Sequence, residues 1–193
     1  VVVDFLWIRK HDWILDRDEE ATPILANQLA NMDQKQMILM TEDRLGFPVF
    51  VKPANLGSSV GISKAHSPEE LKQAIDLAFE FDHKVLIEKA VIHPREFEVS
   101  ILGNDDPRAS VVGEVVASNE FYDYNAKYVD NKSRLYIPAD IDDELQNTLQ
   151  LAAIKAFLAV DCRGLARVDF LYDTESHRYF LSEVNTIPGF TTI

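Results

Sequence analysis

The stretch at residues 166–190, ARVDFLYDTESHRYFLSEVNTIPGF, constrains the fold of this chain more than any other. In its first half, Val168, Phe170 and Tyr172 alternate with their neighbours, and a second alternating run follows a polar turn at residues 173–177. Alternation with a period of two residues is typical of β-strands, so the stretch predicts two strands joined as a hairpin. The pairing of these strands then decides which side chains share a face of the sheet.

Suppose that the strands pair as antiparallel neighbours with Asp169 opposite Glu183. The same register sets Arg167 opposite Asn185, and opposed residues point to the same side of a sheet. Simple alternation also puts Glu183 and Asn185 on the face of Leu181. Two carboxylates placed face to face repel each other unless a cation lies between them. Two carboxylates and an amide oxygen suit Mg2+ or Mn2+, and an arginine beside them suits phosphoryl transfer. The alternative is the solvated polar face of an ordinary hairpin.

The composition limits the classes of protein to which the chain can belong. With 193 residues and 47% hydrophobic content, it can form one substantial core or two small lobes. A net charge of −13 without a basic stripe argues against nucleic-acid binding. One cysteine, Cys162, excludes an internal disulfide and fits a reducing compartment. No apolar run approaches the roughly 20 residues of a membrane span. The chain opens with Val in a strand-like run, and we expect it to be a fragment.

The rest of the chain predicts helices that punctuate a largely antiparallel sheet. Helix periodicity and start signals predict helices at residues 22–45, 67–81 and 142–160. Strands are predicted at residues 1–8, 47–52, 62–64, 84–88, 95–102 and 110–116, and a loop at 119–131. This order of elements indicates the α+β or mixed α/β class.

Three further stretches carry side chains suited to chemistry. Lys52 ends a strand and is followed by residues 55–61 (NLGSSVG), here named the Gly/Ser loop, whose backbone N–H groups could wrap phosphates. A structural turn is the alternative. Glu88 and Lys89 end an apolar strand, where they could face a purine and a ribose or simply be solvated. Residues 121–128 (FYDYNAKY) hold four aromatics and a lysine, which indicates a ligand, a lid or an interface.

Taken in order, these stretches closely resemble the D-alanine–D-alanine ligases of the ATP-grasp superfamily. The matching segments are FPVFVKPANLGSSVGISK (47–64), LIEK (86–89), REFEVSILGND (95–105), FYDYNAKY (121–128), ARVDF (166–170) and SEVNTIPGFT (182–191). The resemblance implies the ATP-grasp fold, with two lobes built on largely antiparallel sheets and flanking helices. It implies a central lobe at residues 1–88 and an incomplete C-terminal lobe at 89–193, without the family's N-terminal domain.

The resemblance also implies a role for individual residues around an ATP molecule that lies between the lobes. The implied nucleotide contacts are Lys52 on ATP, Glu88, Lys89 and Val91 at the adenine, Glu96 at the ribose, Phe121 beside the nucleotide and Lys127 on the phosphates. The implied ligands of two Mg2+ or Mn2+ ions are Asp169, Glu183 and Asn185. The implied substrate contacts are Arg167 on the acyl phosphate, the Gly189 N–H as oxyanion donor, and Ser58 with Tyr128 over the first D-alanine.

The implied activity is that of a carbon–nitrogen ligase that forms ADP and phosphate. The carboxylate of one D-alanine attacks ATP to give an acyl phosphate, and the amine of a second D-alanine displaces the phosphate. The product would serve peptidoglycan synthesis, and hence cell wall and cell shape, in the cytoplasm. The expected partners are two D-alanine molecules, with no nucleic acid and no membrane, and a homodimer of the full-length protein.

Some features depart from the family, and alternatives stay open. A further ATP-contacting lysine is expected in a Met-Asp-Lys setting before the central lobe, but Lys35 follows the first strand and is interpreted as a surface lysine. Because the N-terminal domain and the residues after PGFT are not in the sequence, we expect this chain alone to be inactive. The alternatives are a D-alanine–D-lactate ligase, a non-catalytic nucleotide-binding fragment, and an ATP-grasp ligase for another acid. The Lys127-Tyr128 pair favours the dipeptide ligase.

Overall fold

The computed structural model describes most of the chain and divides it into two compact units. The residues outside the description are 15–28, 30–31, 58, 117–133 and 190–193, so the predicted loop at 119–131 lies among them. One unit is Val3–Ala90, and the other is Val91–Ile193 together with Val1–Val2. The described residues of each unit are built on one antiparallel sheet. The lobe boundary at 88/89 stays a prediction.

The unit Val3–Ala90 has four strands in the order β1-β4-β2-β3. They are β1 (Phe5–Arg9), β2 (Val49–Pro53), β3 (Ser63–Ala65) and β4 (Lys84–Lys89), and the described helices are α1 (Lys10–Ile14), α2 (Gln34–Leu45) and α3 (Pro68–Phe81). Alternate residues of the strands, such as Val51 and Ile87, are fully buried in one core with Leu71 and Ile75 of α3. The opposite face of the sheet therefore carries the polar side chains of β2 and β4.

Two of the helix starts test the predicted start signals. The Ser67 side chain accepts the Glu70 N–H and Pro68 begins α3, which confirms the predicted start of that helix. The prediction of one helix over residues 22–45 is wrong for Leu29, Met32 and Asp33, which lie outside any helix, because α2 begins only at Gln34. Its predicted end at Leu45 is confirmed, and its predicted start lies outside the described residues. Asp33 and Gln36 form a capping box that closes the N-terminus of α2. Leu29 instead donates its backbone N–H to the Trp7 carbonyl at 3.0 Å.

The unit Val91–Ile193 has a larger sheet in the order β10-β9-β5-β7-β8, with β6 paired to β5. Its strands are β5 (Arg95–Gly103), β6 (Arg108–Ala109), β7 (Gly113–Val116), β8 (Arg134–Tyr136), β9 (Gly164–Asp173) and β10 (Arg178–Asn185), and its described helix is α4 (Asp143–Ala159). Leu149 and Phe157 of α4 are buried with Phe97, Val168 and Phe170 of the sheet. β6 and β8 were not predicted, because strands this short show no alternation.

The two antiparallel sheets with their helices confirm the α+β class. Among the described residues, no helix is both long and apolar enough to span a membrane.

A β-bulge at Ser182 determines how the hairpin of β9 and β10 presents its side chains. Leu181 pairs with Phe170, but Glu183 pairs with Asp169, so Ser182 is the extra residue. Leu181 and Val184 both pack on the core, although they are an odd number of residues apart. The bulge therefore turns Glu183 away from the core face, and the prediction that Glu183 shares a face with Leu181 is wrong.

We predict that deleting Ser182 will leave this hairpin folded, because Ser182 is the extra residue and its loss keeps Glu183 opposite Asp169 and Val184 opposite Val168 in regular alternation. The free energy of unfolding should change by less than about 1 kcal/mol. Deleting Val184 instead would bring Asn185 opposite Val168 on the apolar face, and burying its unpaired amide should lower the free energy of unfolding by about 3 kcal/mol. Urea denaturation followed by circular dichroism measures both changes. An equal loss of stability in the two deletions would contradict this account of the bulge.

Candidate functional site

The hairpin of β9 and β10 gathers four polar side chains on the sheet face that points away from α4. Asp169 lies opposite Glu183, and Arg167 lies opposite Asn185, which confirms the predicted register. On the other side of β9, Glu98 of β5 lies opposite Asp169. Val168 and Phe170, which flank Asp169 on β9, are fully buried in the core. Because side chains alternate along a strand, Arg167 and Asp169 point to the opposite, outer face of the sheet.

The Asp169 carboxylate is the centre of the hydrogen bonds in this cluster. Arg167 donates to both of its oxygens, with Nε 2.7 Å from Oδ1 and Nη2 2.7 Å from Oδ2. The Asn185 Nδ2 donates to Asp169 Oδ2 at 3.0 Å and to Glu183 Oε1 at 3.2 Å. Arg167 Nε also lies 3.4 Å from Glu98 Oε1. One guanidinium therefore serves two carboxylates, while one amide links Asp169 to Glu183.

Burial and like charge act on this cluster in the same direction. Burial raises the pKa of Asp169, whose side chain is 16% exposed; the Arg167 guanidinium opposes that rise and the Glu183 carboxylate adds to it. The hydrogen bonds to Asp169 in turn raise the pKa of Arg167 above its ordinary value, although burial of the guanidinium acts against that rise. With one guanidinium among the carboxylates of Glu98, Asp169 and Glu183, the face has excess negative charge, and an added cation would relieve it.

The donor set at this face fits a hard divalent cation. Asp169 and Glu183 supply carboxylate oxygens side by side, and the Asn185 side chain already contacts both. Rotation of the Asn185 amide would present its oxygen in place of its nitrogen, which completes an all-oxygen set. No group of three or more His, Cys, Asp or Glu side chains suited to a metal occurs in the part of the chain that the structure describes. A metal here would thus depend on the amide and on oxygens from a ligand.

The unit Val3–Ala90 carries a second charged pair on the outer face of its sheet. Lys52 Nζ lies 2.7 Å from Glu88 Oε2, and each side chain is 22% exposed. Phe5 of β1 and Phe50 of β2 lie opposite Glu88 on the two neighbouring strands. Lys52 and Glu88, both predicted to contact a nucleotide, are therefore brought together beside aromatic residues.

The end of β4 leads directly into the other unit. Lys89 is exposed, and its backbone N–H donates to the Asp4 carbonyl at 2.9 Å. The Ala90 N–H donates to the Pro48 carbonyl at 3.1 Å, and Val91, the next residue, is half-buried. The backbone at the end of β4 is thus held on both sides before the chain enters the second unit.

Of the remaining predicted site residues, Glu96 and Gly189 lie in the described part of the chain, and four lie outside it. Glu96 is half-buried on β5, two residues before Glu98 and therefore on the same face, and Gly189 is exposed beyond β10. The predicted residues outside the described part of the chain are Ser58, Phe121, Lys127 and Tyr128. Sequence reasoning missed Glu98 as a partner of Arg167, because that contact depends on β5 lying beside β9. The alternation of Glu96 and Glu98 in REFEV was the available signal.

The comparisons with known proteins point to one family. A family model described as D-ala D-ala ligase C-terminus matches residues 2–193. The D-alanine–D-alanine ligase of Chloroherpeton thalassium is 56% identical over 157 residues, which cover 81% of this chain and 43% of that protein. A D-alanine–D-alanine ligase of a Thermoanaerobacter species is 59% identical over 152 residues, which cover 78% and 42%. The chain thus spans less than half the length of these curated relatives.

Solved structures have the same fold. The VanG D-Ala:D-Ser ligase from Enterococcus faecalis superposes with a TM-score of 0.77 at 34% identity, covering 99% of this chain and 49% of that one. The D-alanine–D-alanine ligase from Coxiella burnetii gives a TM-score of 0.73 at 28% identity, covering 100% and 44%. These likenesses confirm the predicted ATP-grasp fold.

We predict that Arg167→Gln will raise the affinity of the chain for Mn2+ in the absence of nucleotide. The guanidinium occupies both Asp169 oxygens and repels an incoming cation, so its removal frees the ligands. If the competing contact of Arg167 with Asp169 contributes about 1.4 kcal/mol, its removal should raise the affinity for Mn2+ about tenfold. Isothermal titration calorimetry with MnCl2 measures the change.

Arg95→Gln is the matched control, since Arg95 makes the same two-pronged contact to a carboxylate, that of Glu114. Mn2+ affinity should be unchanged in that variant. Weaker Mn2+ binding by Arg167→Gln would show that the guanidinium supports the site instead of competing for it.

Proposed function

Because the chain belongs to the family of the D-ala D-ala ligase C-terminus, we propose that it supplies the nucleotide- and metal-binding part of a D-alanine–D-alanine ligase. The observation that carries the proposal is the polar face of β9 and β10, where Arg167, Asp169 and Glu183 lie together in the predicted register. Such a face can hold divalent cations and stabilise a transferring phosphoryl group.

The proposed reaction joins two D-alanine molecules at the expense of ATP. The carboxylate of the first D-alanine attacks the γ-phosphate, so that ADP leaves and an acyl phosphate forms. The amine of the second D-alanine attacks the acyl carbon, and phosphate leaves as the peptide bond forms. The protein needs no nucleophile of its own, because the substrate carboxylate is the nucleophile. Its tasks are to bind charge, orient the reactants and exclude water.

The metal and phosphoryl functions belong to the polar face of the hairpin. Asp169, Glu183 and Asn185 would hold two Mg2+ or Mn2+ ions, which supply positive charge to the phosphates. The Arg167 guanidinium, beside these ligands, would bind the phosphoryl oxygens of the acyl phosphate. The Gly189 N–H would donate to the developing oxyanion.

The nucleotide contacts follow the family pattern in both units. Lys52 would contact the ATP phosphates, Glu88, Lys89 and Val91 would line the adenine, and Glu96 would accept from the ribose hydroxyls. Among the described residues, the Val91 N–H has no hydrogen-bond partner, which supports its role as a donor to the purine edge. The further contacts proposed from the family pattern are Phe121 and Lys127 at the nucleotide, and Ser58 with Tyr128 at the first D-alanine.

The curated relatives favour D-alanine as the second substrate. Relatives up to 59% identical carry the name D-alanine–D-alanine ligase. We place the activity in the cytoplasm, in the synthesis of a peptidoglycan precursor, and in a full-length homodimer. The chain alone would bind the nucleotide without completing the ligation.

We predict that the chain binds ATP in a Mg2+-dependent manner, measured by calorimetry with and without MgCl2. The double substitution Asp169→Ala with Glu183→Ala should abolish the gain from Mg2+, because it removes both carboxylate ligands. Lys52→Ala should weaken ATP binding but leave Mn2+ binding unchanged, because Lys52 lies in the other unit. A Mg2+ effect that survives the double substitution would contradict the assignment of the metal ligands.

The ligation is best tested in a protein of the relatives' full length, because the aligned residues cover only 43% of the Chloroherpeton thalassium ligase. The 157 residues that align with that ligase can replace the corresponding segment in it. The chimera should release phosphate from ATP only when D-alanine is present, and D-alanyl-D-alanine should accumulate. A chimera that binds Mg-ATP but produces no dipeptide would contradict the proposed substrate.

A further inference from the structure

The C-terminus of α3 is linked to the Gly/Ser loop by a buried carboxylate. Asp82, the C-cap residue of α3, has a side chain that is 5% exposed. Its Oδ2 accepts the Asn55 backbone N–H at 2.8 Å and the Asn55 side-chain Nδ2 at 2.9 Å. Its Oδ1 accepts the backbone N–H groups of His83 at 2.6 Å and Lys84 at 3.2 Å. The His83 Nδ1 also lies 2.9 Å from Oδ1.

These contacts exceed what the end of a helix requires. The Asp82 backbone N–H already caps α3 by donating to the Ala78 carbonyl. The Asp82 side chain is then free to bind Asn55, which precedes it by 27 residues. Burial acts to raise the pKa of Asp82, but the hydrogen bonds from Asn55, Lys84 and His83 together lower it. Hydrogen bonds from Asn55, at the start of the loop, and from His83 and Lys84 therefore favour the charged form of the Asp82 carboxylate.

The opposite end of the Gly/Ser loop rests on the last residue of α3. Gly61 has a φ of +72°, and a Cβ atom there would lie 2.6 Å from the Phe81 ring and 3.0 Å from the Pro53 ring. Any side chain at this position would be strained in its backbone and would collide with the Phe81 ring. The loop thus begins on Asp82 and ends on Phe81, which are neighbours in the chain.

Among the described residues of the loop, the Val60 N–H donates to the Gly57 carbonyl at 3.3 Å, and Ser59 has a φ of 60°. The Ala54 N–H donates to the Lys84 carbonyl at 3.0 Å, which fixes the entry into the loop beside β4. A loop of glycine and serine is flexible in isolation, and ordering it on binding costs conformational entropy. Anchors at both ends reduce that cost before a ligand arrives.

We propose that Asp82 is a positioning residue that holds the Gly/Ser loop in the conformation that binds the phosphates of a nucleotide. The inference rests on the proposed function, because it takes ATP as the ligand of the loop. Asp82 touches no ligand in this role and acts through Asn55 and the backbone that follows it. If Asp82 only stabilised the end of α3, its substitution would weaken the binding of ATP and of adenosine to the same extent.

The test compares ATP with adenosine on the full 193-residue chain, in the presence of Mg2+. Asp82→Asn turns one acceptor oxygen into a donor that faces backbone N–H groups. The loss of one or two hydrogen bonds should weaken ATP binding by about ten- to a hundredfold. Adenosine lacks phosphates, so its affinity for Asp82→Asn should stay within about twofold of its affinity for the unsubstituted chain. A change of that size is no larger than the ordinary effect of a surface substitution. Mn2+ binding without nucleotide should be unchanged as well.

Asp76→Asn is the matched control on the same helix. Asp76 accepts from the Trp13 Nε1 at 2.7 Å and from the Lys72 Nζ at 2.7 Å, and its bonds do not involve the loop. This variant should lower the melting temperature without separating ATP from adenosine. Gly61→Ala disturbs the other end of the loop and should reproduce the selective loss of ATP affinity.

The possible outcomes distinguish failure of the positioning role of Asp82 from failure of the proposed function. A loss of ATP and adenosine affinity in equal proportion in Asp82→Asn, or no loss of either, would overturn the positioning role. If the unsubstituted chain binds no ATP, the proposed function itself fails. Amide hydrogen exchange of residues 55–61 then decides the anchoring separately. Faster exchange in Asp82→Asn, but not in Asp76→Asn, supports the anchor, and equal exchange refutes it.

Discussion

The two-pronged contact between Arg167 and Asp169 is the interaction on which the candidate site depends. Asp169 is held between fully buried neighbours on β9, and burial and the nearby Glu183 both oppose its charge. The guanidinium makes the ionised carboxylate tolerable at this position, while the Asn185 amide joins it to Glu183. A face that collects carboxylates in this way gains little stability from them. Under the proposed function, a cation bound at this face would offset its charge.

The backbone around this contact is shaped to bring the carboxylates together. If Ser182 were paired in regular alternation instead of bulged, Glu183 would turn toward the apolar core and Val184 would be exposed. The bulge is local, but its effect depends on the strand order, since β5 adds Glu98 from the other side of β9. A bulge beside a site re-aims a side chain, as is common in antiparallel sheets.

Local signals in the sequence predicted much of this arrangement. The register of β9 and β10 followed from pairing the two carboxylates, and the start of α3 followed from Ser67 and Pro68. Long-range contacts were not predictable in the same way. Glu98 reaches Arg167 because β5 lies beside β9 in the sheet. Asp82 contacts Asn55, which lies 27 residues earlier in the sequence. No periodicity encodes such contacts, so they emerge only when the elements are packed.

Under the proposed function, the same exchange of partners takes place in both units. In the absence of ligand, Lys52 is bonded to Glu88, and Arg167 is bonded to Asp169, so each cation is paired with an acid of its own unit. A nucleotide phosphate competes with Glu88 for Lys52, and a divalent cation competes with Arg167 for Asp169. At the hairpin, a divalent cation alone releases Arg167 without giving it a new partner, whereas a cation that arrives with phosphate supplies one. Selectivity for the metal–nucleotide complex over the free cation then follows from charge balance on that face of the sheet.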